Sequence, residues 1–378
     1  MTCKTITLLL AAAMLPAASA HAADSPGPND DASWSTIRTF FQPPAQFADD
    51  HGAYRSPLKR DDGSTVGDAA GWAQRRKELL AYWHEVMGPW PALLEKPSFE
   101  VLRSERRENF TQHRVRVEVA PKQTVEGWYL VPDGKGPFPA VLVPFYEPET
   151  SIGLKGKTCD FAYQLTNRGF VSLSIGSPGG DARLPETGRA VCQPLSFLAY
   201  VSANCHTALA QRPEVDGRRI GIVGHSYGGK WAMFSSCLYD KFAAAAWSDP
   251  GIVWDESRPN VNYWDVWYLG RDAKISRKPG IGKPDSPRTG AYKTLYETGH
   301  DLHELHALMA PRPFLVSGGS EDPPERWRAL NHSVAVNRVL GSENRVAMTN
   351  RPGHNPTAES NEAICAFFEH FLGKAAAR

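Results

Sequence analysis

The sequence predicts an α/β fold, with a mostly parallel central sheet and helices on both faces. Two observations carry that reading. Runs such as Pro139 to Pro144 and Phe170 to Ile175 are apolar without interruption, the pattern of a strand covered on both faces. These runs alternate with helical stretches, and such alternation joins parallel strands through crossover helices.

The elements follow in order. Lys4 supplies a short positive start, and Thr5 to Ala20 is an apolar run too short to span a bilayer. Ala18-Ser19-Ala20 and Ala20-His21-Ala22 then offer small-residue cleavage sites. Residues 1–22 are therefore expected to be a signal peptide, and the mature chain periplasmic or secreted. No later run approaches the ~20 apolar residues of a membrane helix. Residues 23–97 read as an N-terminal arm and helix packed on the core. Their first part, to about Gly67, is rich in Pro, Asp, Ser and Gly. Trp72, Leu79, Leu80, Trp83 and Val86 then recur at helical spacing until Gly88-Pro89.

Residues 98–378 read as the main domain. His113 to Val119 and Thr124 to Val131 alternate and flank Pro121-Lys122-Gln123, as an antiparallel pair does. The apolar strands Pro139 to Pro144, Phe170 to Ile175, Arg219 to Val223 and Phe242 to Trp247 follow. Pro313 to Val316 and Arg345 to Met348 complete the series. After the sixth main strand, Phe242 to Trp247, the stretch Arg258 to Thr289 is irregular and rich in Pro, Gly and Lys. An insertion there is placed to cap a site.

The charges nearly cancel, 42 basic against 41 acidic, so a polyanion such as nucleic acid is not an expected partner. Once Cys3 leaves with the leader, Cys159, Cys192, Cys205, Cys237 and Cys365 remain. That number is odd and the spacing fits no metal motif. Cys192 with Cys205 is the pairing to test. No cofactor and no metal are expected.

Chemistry concentrates at Gly224-His225-Ser226-Tyr227-Gly228. The strand Ile220 to Val223 precedes it and a helix starting near Lys230 follows. A Ser on so tight a strand-to-helix turn is a nucleophile elbow, the mark of an α/β-hydrolase catalytic domain. The turn lifts the hydroxyl clear of the sheet and aims the Tyr227 N–H at a developing oxyanion. A serine needs a base, and in this fold the base comes last, on a loop after the final strand. His354, in Arg351-Pro352-Gly353-His354-Asn355, occupies that place. His370 falls on the C-terminal helix. His303-Glu304-Leu305-His306 lacks the one-turn spacing of a His-Glu-x-x-His zinc site. For the acid, Asp322 follows the seventh strand and Asp249 the sixth, and chain order favours Asp322. The second oxyanion N–H is expected from Phe145 or Tyr146, after the strand ending at Pro144.

Three blocks carry a resemblance to a known group. Gly224-His225-Ser226-Tyr227-Gly228-Gly229-Lys230, Asp240-Lys241-Phe242-Ala243, and His303-Glu304-Leu305 through Ala310-Pro311-Arg312-Pro313 resemble bacterial glucuronoyl esterases and their acetylxylan-esterase-like relatives. The resemblance implies a serine esterase acting on plant cell-wall polysaccharide, with Ser226 as nucleophile and His354 as base. It implies that Lys230 contacts sugar hydroxyls, and it brings Asp249 level with Asp322 as the acid. Where those enzymes usually carry Arg after the nucleophile, this chain has Tyr227, which leaves the glucuronoyl substrate open.

Eleven tryptophans are many for the length. Trp254, Trp264 and Trp267, after the sixth strand, are candidates to stack on sugar rings; the alternative is that they fill core beneath the insertion. Lys230, Arg258 and Arg271 are candidates for a uronate carboxylate. The leading expectation is hydrolysis of uronic-acid esters, pectin methyl or glucuronoyl. The alternative is acetyl-ester hydrolysis of xylan or pectin.

Overall fold

A computed structural model describes residues 32–373. The expected leader, residues 1–22, lies outside the described residues.

Among the described residues nine strands form one sheet, ordered β1-β2-β3-β5-β4-β6-β7-β8-β9. The strands are β1 (Phe99–Arg107), β2 (Phe110–Ala120), β3 (Gln123–Pro132), β4 (Phe138–Pro144) and β5 (Val171–Ile175). They continue with β6 (Val215–His225), β7 (Ala244–Ser248), β8 (Phe314–Gly318) and β9 (Val346–Asn350). The first three pair antiparallel, and β3 joins β5 antiparallel. From β5 through β4, β6, β7 and β8 to β9 every pairing is parallel. The α/β-hydrolase sheet read from the sequence is the sheet observed.

The helices are α1 (Ala32–Ile37), α2 (Ala69–Met87), α3 (Pro148–Ser151), α4 (Phe161–Thr166) and α5 (Pro194–Ala210). They continue with α6 (Tyr227–Leu238), α7 (Gly290–Glu297), α8 (Leu302–Ala307), α9 (Trp327–Val339) and α10 (Ala358–Phe368). One apolar layer packs side chains of α2, α5, α6 and α8 against the sheet, among them Trp83, Leu198, Trp231 and Leu305. The other packs α1, α4 and α10 through Ile37, Phe161 and Phe367. Burial on both faces explains why the parallel strands lack polar alternation.

Three expectations change. The edge strand β1 was not anticipated: its nine residues are nearly all exposed, and its charges hide any alternation. Those charges pair across the edge, as Glu100 does with Arg116, and charge on an edge strand discourages intermolecular pairing. The arm is not simply extended. It forms α1 and two 3₁₀ turns, and it crosses from the turn just after α10, where Trp34 stacks on His370, to α9, where Asn331 donates to the carbonyls of Phe47 and Asp50. Cys192 and Cys205 are both buried as free thiols; the other described cysteines are free too, with Cys159 half-buried.

The stretch between β7 and α7 contains no helix or strand, apart from an isolated bridge between Lys283 and Ser286. It is nonetheless packed. Val261, Tyr263, Trp264 and Leu269 are buried, and a buried Arg277–Asp265 pair spans it. Among the described residues no helix is long and apolar enough to cross a membrane.

Candidate active site

Strand β6 ends at His225 and α6 begins at Tyr227, leaving Ser226 alone at the corner with φ 55° and ψ −113°. Such a setting is unusual for a residue with a β-carbon. The flanking glycines make it possible. A β-carbon on Gly224 would lie 2.1 Å from the Gly228 carbonyl oxygen, and one on Gly228 would lie 2.2 Å from that of Pro144. Only glycine lets strand, helix and neighbouring strand approach so closely. Ser226 is left partly open to solvent.

His354 reaches this corner from the loop after β9. Its Nε2 lies 2.9 Å from Ser226 Oγ, and its Nδ1 lies 2.7 Å from Asp249 Oδ2. Asp249 follows β7 and is fully buried. The loop after β8 turns its backbone onto the other carboxylate oxygen. Asp249 Oδ1 accepts from the N–H of Gly319 at 2.6 Å, Asp322 at 2.9 Å and Glu321 at 3.2 Å. Burial works against the Asp249 charge. The hydrogen bond and charge of His354, the Glu321 N–H and the Arg351 charge outweigh it, so the carboxyl stays below its ordinary range. It remains an anion, able to orient the ring and stabilise its protonated form.

Asp322 does not touch His354. Its carboxylate accepts from Gly251 N–H at 2.8 Å and Ile252 N–H at 2.6 Å, with Arg326 Nε at 3.8 Å. The preference for Asp322 by chain order is therefore corrected. The two loops lie side by side at the strand ends, and only the β7 loop presents its side chain to the imidazole.

Two neighbours had no assigned role. Arg351 is buried and ties the loop that carries the base to the ends of β7 and β8. It donates to the carbonyls of His354 at 2.6 Å, Asn355 at 2.8 Å and Ser317 at 2.8 Å. Its nearness to His354 in sequence was the available signal. His225 packs its ring 4.7 Å from that of His354. Burial, with the charges of His354 and Arg351, pushes it down to about 3, so it stays neutral and does not compete for the proton.

For an oxyanion, the Phe145 N–H is spent on the Ile175 carbonyl at 3.1 Å, which leaves Tyr146 of the two candidates. Tyr227 is the first residue of α6, and N–H groups of a first turn lack an intrahelical acceptor. The Tyr146 and Tyr227 rings stack with centroids 4.8 Å apart. A cleft of about 260 Å³ opens beside Tyr146, lined also by Arg114, Glu126, Glu149, Ser177 and Gly179.

The expected sugar contacts do not assemble. Lys230 is 2% exposed, and its Nζ donates to the carbonyls of Pro250 and Asn260. Trp264 is buried. Trp254 donates to the His300 carbonyl at 2.7 Å and packs edge-on to Tyr263 and Tyr292. Trp267 is half-buried beside Tyr268. Arg258 pairs with Asp255, and Arg271 donates to Thr187 and to the Cys192 carbonyl. These side chains hold the insertion together, because a stretch without regular structure must satisfy its backbone carbonyls by other means.

Sheet order, elbow and loop order define an α/β-hydrolase fold with Ser, His and Asp in line at the carboxyl ends of its strands. Solved structures with this fold include a glucuronoyl esterase from Solibacter usitatus, at TM-score 0.66 and 19% identity over 84% of this chain and 97% of that one. A "putative acetyl xylan esterase" from Bacteroides fragilis NCTC 9343 superposes at TM-score 0.54 and 16% identity, over 81% of this chain and 80% of that one. In sequence, the chain is 28% identical over 188 residues to "Putative hydrolase YtaP" of Bacillus subtilis (strain 168). That alignment covers 45% of this chain and 61% of its relative. No protein-family profile matches the chain.

Proposed function

We propose that the chain is a serine carboxylic-ester hydrolase acting on carbohydrate esters. The observation that carries the proposal is the unbroken line Ser226 Oγ–His354 Nε2–His354 Nδ1–Asp249 Oδ2. In this reading His354 takes the Ser226 proton as Oγ attacks the ester carbonyl. The Tyr227 and Tyr146 N–H groups hold the oxyanion, and such donors are worth about 10² to 10³ each in rate. His354 then protonates the leaving alcohol, and the acyl group stays on Ser226. Water, activated by the same imidazole, releases the acid and restores the serine.

The carbohydrate part of the proposal draws on the fold shared with the glucuronoyl esterase. Uronic-acid esters are the first substrate class to test. Acetylated polysaccharide is the second, favoured by one observation: Lys230, Arg258 and Arg271 all have internal partners, so none of the three is held ready for a uronate. The leader read at residues 1–22 would deliver the enzyme to the periplasm or outside the cell, where such polymers are met.

Purified protein should be assayed on methyl-esterified pectin, a glucuronate benzyl ester and acetylated xylan, with Ser226→Ala alongside. Alcohol release, abolished by about 10⁶ in kcat in the variant, is the expected result. Acetate release alone would transfer the reading to a deacetylase. Full activity in Ser226→Ala would end the mechanism.

A further inference from the structure

Asp249 has the backbone of a residue held in place. Its φ of +50° lies in the left-handed region, uncommon for a residue with a β-carbon though less so for Asp, and its surroundings hold it there. The next three residues show what does so. Pro250 accepts from Lys230 Nζ at 2.5 Å, while Gly251 and Ile252 donate to the Asp322 carboxylate at 2.8 and 2.6 Å. Lys230 comes from α6, one turn past the nucleophile, and Asp322 from the loop after β8. Each is almost wholly buried.

The arrangement is reciprocal. The β8 loop donates three N–H groups to Asp249, and Asp322 on that loop accepts two from the loop of Asp249. Lys230 also donates to the Asn260 carbonyl at 2.8 Å and faces the rings of Tyr263 and Tyr268 at 4.9 and 5.8 Å. No side of it is left for a sugar hydroxyl. Buried charges are costly to install, and apolar groups of similar volume often serve stability as well or better. Two such charges gripping one loop call for a reason other than packing.

We infer that Lys230 and Asp322 are positioning residues that fix the orientation of Asp249 toward His354, and that neither touches substrate. Burial pushes the Lys230 ammonium down to about 8 and, with the Asp249 charge, the Asp322 carboxyl up to about 6. Both directions reflect the electrostatic cost of the clamp. The inference rests on the esterase reading for its kinetic consequence and not for its spectroscopic one.

The test uses Lys230→Met and Asp322→Asn, with Asp249→Asn as reference. An Asn at 322 would turn an amide donor against the N–H of Gly251 or Ile252. In the wild type, the His354 Nδ1–H bonded to Asp249 should give a far-downfield proton resonance that Asp249→Asn abolishes. Both clamp variants, folded by circular dichroism, should weaken or lose that resonance. Their kcat should fall about 10- to 100-fold, as misplacement of a catalytic group does, with KM within about threefold. Folded variants with the resonance intact would overturn the inference, as would a raised KM at unchanged kcat. If Asp322→Asn does not fold, Lys230→Met carries the test; if neither folds, the two charges belong to the core and the inference fails. A wild type without ester hydrolysis would sink the esterase reading and leave the resonance comparison standing.

Discussion

Among the described residues, buried carboxylates hydrogen-bond imidazoles in two places. At the carboxyl ends of β6, β7 and β9, His354 lies between Ser226 and a buried Asp249. Around α8 and α9, His300 lies 2.5 Å from a buried Glu304, and His303 and His332 pack nearby at a tilt with ring centroids 4.9 Å apart. By residue type the second cluster is the richer one. It differs in where its polar atoms are aimed. His303 Nε2 meets the Arg55 carbonyl at 2.5 Å, and His332 Nε2 meets that of His51 at 3.1 Å, so these imidazoles fasten the arm to the domain. His303, Glu304 and His306 have no exposed surface, whereas a quarter of the His354 side chain is open. An imidazole–carboxylate pair becomes a candidate for chemistry when it ends on an accessible nucleophile. An imidazole closed over a backbone carbonyl is a fastening.

Asp249→Asn should separate the clusters most sharply. Turnover should fall by about 10⁴, the loss expected when the imidazole is held in the wrong tautomer. Glu304→Gln, equally buried and likewise hydrogen-bonded to an imidazole, should leave kcat within about threefold. It should lower stability in urea by about 1–3 kcal/mol, the usual cost of disturbing a buried hydrogen-bonded group. A large kcat loss in Glu304→Gln would erase the distinction.

Acid should reveal the fastening next. Burial, reinforced by the His303 charge, pushes His332 down to about 4, and burial pushes His206 down to about 4. An unfolded histidine titrates near 6.5, so below that pH the unfolded chain takes up protons first. The stability these residues contribute is full above about pH 6.5 and is lost as pH falls toward about 4. Asp301, pushed up to about 7 chiefly by burial, and Asp322 work the other way. Their contribution is full below about pH 3.8 and is lost as pH rises through about 6 to 7. Urea midpoints across this range should show a steeper acid decline in the wild type than in His332→Gln. Equal slopes would contradict the role given to the arm cluster.

The smallest effect concerns the thiols. With all five described cysteines free, a reductant should leave Tm unchanged, and a drop would mean a disulfide.

Much of this was legible in the sequence. Unbroken apolar runs gave the parallel strands, and the glycines around Ser226 announced a turn that nothing bulkier fits. His354 followed from chain order. The acid did not, because Asp249 and Asp322 each precede a proline at the end of adjacent parallel strands. Only the direction of the loops separates them, and that is set by tertiary hydrogen bonds. Lys230 misled for a related reason. One turn after a nucleophile a lysine can face a ligand or a neighbouring loop, and helical spacing alone does not distinguish them. Trp264 obeyed the blander rule that large aromatic side chains are mostly buried. Strand β1 escaped because charges on both faces leave no period to detect.

The central claim is that Ser226, activated through His354 and Asp249, forms the covalent bond to substrate. It is tested most directly by treating the protein with a fluorophosphonate and mapping the adduct by peptide mass spectrometry. The account predicts one adduct, on the peptide containing Ser226, formed far more slowly in Asp249→Asn than in Asp322→Asn. An adduct on another residue, or equal rates in the two variants, would contradict it.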